Sequence, residues 1–365
     1  MKHLSYIPIA LLMCAFAPCY SMEEEVTKAI LITTLITKAP QSVICLKDNN
    51  VAVLGKYDLS LYNFFTNEKI IELQDYSNSE TTLYQHISVD QKKEKLALHR
   101  QDILAVYDLK TKGKMWSMIE KSNSWQGAPA FNPINTTFFV GDILFGINSY
   151  NYKKDSSKTY NPFNRNDTIS CATQLGFHPT KQEMLFLTDT HVDLAILQFD
   201  KQPLIKQIIS TGCTDAKDSI KAAKFSPDGS LIAINNQQRG CSIYDLISST
   251  NSFIPDEYQI IAMEFHPTKT VIAIIPAIDE YLEEGDAKGA YIHYWNAKTQ
   301  KYIIGTTFSN TGIYFYHSHT LIPPCEPISF SDDGTKIVIA LEEKDQCLII
   351  DVPQEVLEQA SWSEQ

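Results

Sequence analysis

The His317-Ser318-His319 stretch sets two imidazoles on one side of an extended segment, with Cys325 and Glu326 behind them. Exported zinc sites use such ligands. The spacing is loose, however, and no carboxylate precedes Glu326, so a polar loop with two exposed histidines is the simpler reading. Just before it stand Tyr314, Phe315 and Tyr316. On a loop such a triplet anchors a partner, because aromatic rings bury much area at little rotamer cost. In a strand, alternate rings would enter the core instead, and the residues leave both readings open. Asp279, Glu280, Glu283, Glu284 and Asp286 supply clustered oxygens of the kind calcium prefers, but without alternating ligands or a glycine at the sixth place. That stretch reads as a solvated acidic loop. No GxSxG, HExxH, phosphate-binding loop or dinucleotide glycine pattern occurs, and none of the eight cysteines forms a CxxC pair. No catalytic residue, metal or cofactor is therefore expected. The residues with the strongest claim to binding are Tyr314, Phe315, Tyr316 and His317.

The elements that would position these residues are short strands. Ala222–Leu246 shows the unit most clearly: an apolar strand to Phe225, a Ser226-Pro227-Asp228-Gly229 turn, a β-branched run at Leu231–Ile234, a polar turn, and a third strand ending in Tyr244-Asp245. Proline presets φ in such a turn, aspartate bonds its own backbone, and glycine takes the φ > 0 place. Apolar residues before a turn recur at Ile44, Ile87, Phe131, Phe177, Phe225, Phe265 and Phe330. A second landmark follows each one: Tyr62-Asn63, Tyr107-Asp108, Tyr150-Asn151, Phe199-Asp200, Tyr244-Asp245, Trp295-Asn296 and Ile350-Asp351. Several strands repeating every forty-odd residues is the pattern of propeller blades. Three segments exceed the minimal unit: the basic Tyr152–Asp167, the acidic Pro276–Ala290, and Ser309–Pro327, which holds the aromatic triplet.

The Phe-Ser-Pro-Asp-Gly turn, the β run and the Tyr-Asp-Leu close resemble WD-repeat proteins over about Ala39 to Val352. A Trp-Asp dipeptide is absent, with Trp295-Asn296 nearest, and the Gly-His dipeptide is not evident, so the buried hydrogen-bond network of that family is not expected here. The resemblance implies an all-β, seven-bladed β-propeller of four-stranded antiparallel blades. The last repeat supplies only three strands, and Val26–Ala39 is left over at the start. Ile30–Ile36 is expected to close the ring as the outer strand of the last blade, which removes an exposed sheet edge. Pro353–Gln365 then forms a short tail with a helical turn around Glu355–Gln359. Cys171 and Cys213, each just before the inner strand of neighbouring blades four and five, are the candidate disulfide. Cys241 and Cys347 sit in blades that do not touch and are not expected to pair.

Met1-Lys2-His3, the apolar Ile7–Ala17 and the small residues Cys19 and Ser21 read as a secretory signal peptide (residues 1–21), cleaved after Ser21. The product is expected in a periplasm or outside the cell. No other run is apolar and long enough to span a bilayer. A formal net charge of −12 argues against nucleic acid, whose phosphates need a basic face. These readings converge on an exported, monomeric scaffold that binds a protein or peptide. The alternative of another class is a propeller hydrolase or lactonase, which needs convergent carboxylates or histidines at a central pocket.

Overall fold

The computed structural model describes residues 26–28, 31–37, 40–55, 58–75, 85–100, 103–119, 125–142, 146–160, 175–187, 193–199, 203–210, 220–236, 240–254, 260–276, 291–307, 327–341 and 345–364. Two strands open the chain, β1 (Val26–Lys28) and β2 (Leu31–Ile36). Seven blades follow. Blade one is β3 (Pro40–Cys45), β4 (Asn50–Gly55), β5 (Asp58–Asn63) and β6 (Glu68–Asp75). Blade two is β7 (Gln85–Val89), β8 (Lys95–Arg100), β9 (Ile103–Asp108) and β10 (Gly113–Ile119). Blade three is β11 (Trp125–Phe131), β12 (Thr137–Asp142), β13 (Gly146–Asn151) and β14 (Ser156–Tyr160). Blade four is β15 (Leu175–Phe177), β16 (Glu183–Leu187), β17 (Asp193–Phe199) and β18 (Pro203–Ser210). Blade five is β19 (Ile220–Phe225), β20 (Leu231–Asn236), β21 (Gly240–Asp245) and β22 (Thr250–Phe253). Blade six is β23 (Ile260–Phe265), β24 (Val271–Pro276), β25 (Tyr291–Asn296) and β26 (Tyr302–Thr307). Blade seven is β27 (Ile328–Phe330), β28 (Lys336–Leu341) and β29 (Gln346–Asp351), followed by the one-turn helix α1 (Gln354–Leu357) and a 3₁₀ turn at Trp362–Glu364. Among the described residues, no helix is long and apolar enough to cross a membrane.

Each blade meets its neighbours through both faces, and this explains its sequence. The second strands lie buried on both sides, so they read as nearly unbroken apolar runs: Glu183–Leu187, Leu231–Asn236 and Val271–Pro276 are buried at every position. Exposure returns in the outer strands. Every residue of β10 is exposed or half-buried. Seven apolar clusters lie between the blades, and the first strands of successive blades meet around the axis of the ring.

Both landmarks acquire a physical reason. The Asx residue that ends a third strand caps the hairpin to the fourth. Oδ1 of Asn63, Asp108, Asn151, Asp245 and Asn296 each accepts two backbone N–H groups of the turn that follows, at 2.7–3.1 Å. Four residues beyond each one, Asn67, Lys112, Asp155, Ser249 and Gln300 take φ values of 48–57°. The first landmark needs a correction in two blades. Backbone N–H groups that close the first turn belong to Leu46, Asp90, Asn132, His178, Ser226, His266 and Ser331. The residues equivalent to Phe225 are therefore Cys45 and Val89, not Ile44 and Ile87. A shorter turn in blade one and a glycine-free turn in blade two hid the offset.

The ring closes as expected, through β2 on β29 in antiparallel register, with Leu35 opposite Cys347. Leu35 is buried between blades seven and one, among Val43, Val51 and Ile349. Val26–Ala39 is not one strand, however. β1 turns away and adds in parallel to the outer edge of blade six, Val26 opposite Gly305 and Lys28 opposite Thr307. The N-terminal segment thus clasps two blades. Blade three brings another difference. Five residues of the segment Tyr152–Asp167, read as an insertion, form the fourth strand β14.

The C-terminal segment is no loose tail. Val356 is buried in the core of blades six and seven. Trp362 is 8% exposed, donates its indole N–H to the His266 carbonyl at 2.9 Å, and meets Phe265 edge-on at 5.8 Å. The Thr270 N–H donates to the Ala360 carbonyl, and Asn296 Nδ2 donates to Gln359 Oε1.

Candidate functional site

Antiparallel order within every blade sorts the connections by end. First-to-second and third-to-fourth turns lie at one end of the ring; second-to-third and blade-to-blade connections lie at the other. The turn end is compact, and its blade-six sector is covered by the C-terminal segment. Every long connection belongs to the opposite end. Tyr314, Phe315, Tyr316 and His317 fall in the connection from β26 to β27, and the acidic residues 279–286 fall in that from β24 to β25. Cys171 and Cys213 fall in the connections entering β15 and β19. All of these lie outside the described residues, as does the 1–21 leader.

Around the axis the first strands carry charge. Lys224 and Glu264, at equivalent places in β19 and β23, pair at 2.5 Å. Lys93 of the first turn of blade two forms an ion pair with Asp332 of the same turn in blade seven. Between them, the Cys45 N–H donates to Ser329 Oγ at 2.9 Å. These contacts join inner strands across blade boundaries.

The buried titratable groups are held in their neutral forms. Burial pushes the Cys45 and Cys347 thiols up to about 12, which favours their protonated form at neutral pH. Cys45, Cys241 and Cys347 are buried, and Cys241 and Cys347 lie in blades five and seven. His86 and His99, opposite each other in β7 and β8, lie with ring centroids 6.0 Å apart. Burial, then the His99 ring, lowers His86 to about 3. No group of three or more His, Cys, Asp or Glu that could hold a metal occurs among the described residues.

His266 shows how the turns lock together. Its Nδ1 accepts the N–H groups of Thr268 and Lys269 at 3.2 and 3.0 Å, so the proton sits on Nε2, which donates to the Gly334 carbonyl of blade seven at 3.0 Å. Burial, with Lys269 adding to it, lowers His266 to about 4. Gly334 has φ +72°, and a Cβ there would overlap the imidazole. His178 repeats the packing one pair of blades earlier: its Nδ1 accepts the Thr180 and Lys181 N–H groups at 3.2 Å and its ring lies against Gly229 at φ +73°. A His-Pro turn in blades four and six thus packs on an Asp-Gly turn in blades five and seven.

No protein family and no curated relative matches the sequence. Among solved structures, a chain from "Crystal Structure of Mitotic Checkpoint Complex" superposes with a TM-score of 0.66 and 11% identity, over 91% of this chain and 98% of that one. The fold is that of a WD40-like propeller. At this identity the likeness concerns architecture alone. Within the propeller, sequence reasoning missed the axial ion pairs and the histidine–glycine locks. Both were marked by position: Lys224 and Glu264 each stand one residue before the landmark phenylalanine, and Phe-His-Pro alternates with Phe-Ser-x-Asp-Gly. Nothing in the spacing of the C-terminal residues marked Trp362.

Proposed function

We propose that this propeller is an exported binding scaffold, without catalysis of its own, that presents its connection end to a protein or peptide. The observation that carries the reading is the sorting of the connections. A ring clasped at blades six and seven holds every long connection at one end, while the other end is tight turns partly covered by the C-terminal segment. Rigid display of loops lowers the ordering cost of association, and a few aromatic anchors supply most of the affinity. Tyr314, Phe315, Tyr316 and His317 are the anchors we assign, with the 1–21 leader directing export. The protein lacking residues 1–21 is immobilised and challenged with extract from its own compartment. The quadruple alanine variant at 314–317 should lose the retained protein at least tenfold with an unchanged melt. Equal retention by the variant would remove these residues from the site.

A further inference from the structure

Ile205 and Ile208 of β18 are 39% and 59% exposed, although apolar. Their partners across the ladder, Leu197 and Ala195, are fully buried in the core shared by blades three and four. Paired residues share a face of the sheet, so both isoleucines face blade three. Opposite them, β14 turns Lys158 and Tyr160 to blade four. The Lys158 Nζ lies 4.6 Å from the centre of the Tyr160 ring, and that ring packs on Phe199 at 5.9 Å. The result is a crease at the rim of the propeller with apolar walls and a cation on one lip.

The backbone of this crease is also open. β18 is the outermost strand of its sheet and pairs only with β17 among the described residues. Such an edge invites another strand, and this fold fills one itself, where β1 adds to the outer strand β26. β26 carries a bulge, as β18 does. β1 pairs with Gly305–Thr307, beyond the bulge, and β18 offers the stretch Gln207–Ser210 beyond its own.

Charge selects the occupant. The chain is acidic overall at −12, yet Lys153, Lys154 and Lys158 are exposed on the hairpin of blade three with no described carboxylate in an ion pair to them. Lys206, the cation within β18, is already satisfied by Glu183 at 2.5 Å. A second copy pairing through its own β18 would set its Lys158 and Lys206 against those of the first, like charge against like. We propose that the crease between β14 and β18 binds an extended peptide segment of a partner protein, with apolar and acidic side chains alternating along one face of the strand, as an added strand on β18. Its apolar side chains fill the space between Tyr160, Ile205 and Ile208, and its carboxylates meet Lys158. The crease is separate from the connection end, so its failure leaves the scaffold reading intact.

The test uses the whole protein lacking residues 1–21 and a fluorescein-labelled octapeptide, Thr-Val-Thr-Glu-Thr-Val-Thr-Glu, which sets valine and glutamate on one face of a strand, read by anisotropy. A glutamine-for-glutamate octapeptide is the neutral control. Saturable binding is expected, weakened at least about tenfold by Ile208→Lys. Lys158→Glu should weaken the glutamate peptide about tenfold and the glutamine peptide less than about threefold. Phe65→Ala, an exposed ring in blade one, should change nothing. Ile208 is exposed, so its variant should keep the wild-type melt. No saturable binding, or equal binding by Ile208→Lys, would overturn the proposal. So would a concentration-dependent dimer abolished by Ile208→Lys, which would assign the edge to self-pairing.

Discussion

Gly334→Ala probes the lock between blades six and seven. Three costs add at this position. The backbone has φ +72°, a left-handed conformation that costs an ordinary residue about 1–2 kcal/mol. The new Cβ overlaps the His266 ring, which is fully buried and cannot swing to solvent. Displacing the ring breaks the Nε2–H bond to the Gly334 carbonyl and leaves buried polar atoms unpaired, at about 1–3 kcal/mol. Together the variant should lose about 3–5 kcal/mol in urea unfolding, with an unchanged slope. Gly113→Ala is the control, since its nearest neighbour atom would be 3.6 Å away and its φ is ordinary. It should shift stability by less than about 0.5 kcal/mol. A double-mutant cycle separates the terms. In a His266→Ala background the overlap is gone, so Gly334→Ala should cost only the backbone part, about 1–2 kcal/mol. A loss below about 1 kcal/mol in the wild-type background, or full additivity in the cycle, would refute the lock.

Three other perturbations have definite outcomes. His266 is lowered to about 4, so the unfolded chain takes up its proton first as pH falls. Its contribution is complete above about pH 6.5 and is lost as pH drops towards 4, at about 3 kcal/mol in all, with His86 adding loss in the same direction down to about 3. His266→Asn should flatten urea-derived stability over that window, because Asn132 fills the equivalent turn of blade three and its Oδ1 accepts the Ile134 N–H. A wild-type profile in the variant would contradict the assignment. Trp362→Ala should cost about 3–5 kcal/mol through the lost packing on Phe265 and the unpaired His266 carbonyl; calorimetry showing a loss under about 1 kcal/mol would make the C-terminal segment peripheral. Deleting residues 22–39 removes β1 and β2 together and exposes the edges of β26 and β29, so light scattering should show association and the melt should fall; an unaltered monomer with an unaltered melt would reject the clasp.

The parts of the fold that repeat were legible, because repetition lets weak signals add. Tyr244-Asp245 and four of its counterparts mark the same place in five blades, since the Asx side chain caps the same hairpin each time. β2 was legible by subtraction: the last blade lacked a strand and Ile30–Ile36 was left to supply it. What does not repeat was hidden. Val26-Thr27-Lys28 has no pattern that distinguishes continuation of one strand from departure to another blade, and only three-dimensional proximity places it on Gly305. Trp362 is a single side chain, and single side chains have no period. Ser156–Tyr160 is polar and exposed, so an outer strand there looks like a loop. The aromatic triplet at 314–316 and the Cys171–Cys213 pair were chosen from loop position and spacing, and both lie outside the described residues, where the structure does not test them.

The most direct test of the scaffold account is hydrogen–deuterium exchange on the protein lacking residues 1–21, with and without the protein it retains from its own extract. The account predicts protection confined to the connection end, including peptides from 308–326, while the Asx-capped turns at 64–67, 109–112 and 246–249 exchange as before. Protection at those turns with the connections unchanged would place the partner on the opposite end and contradict it.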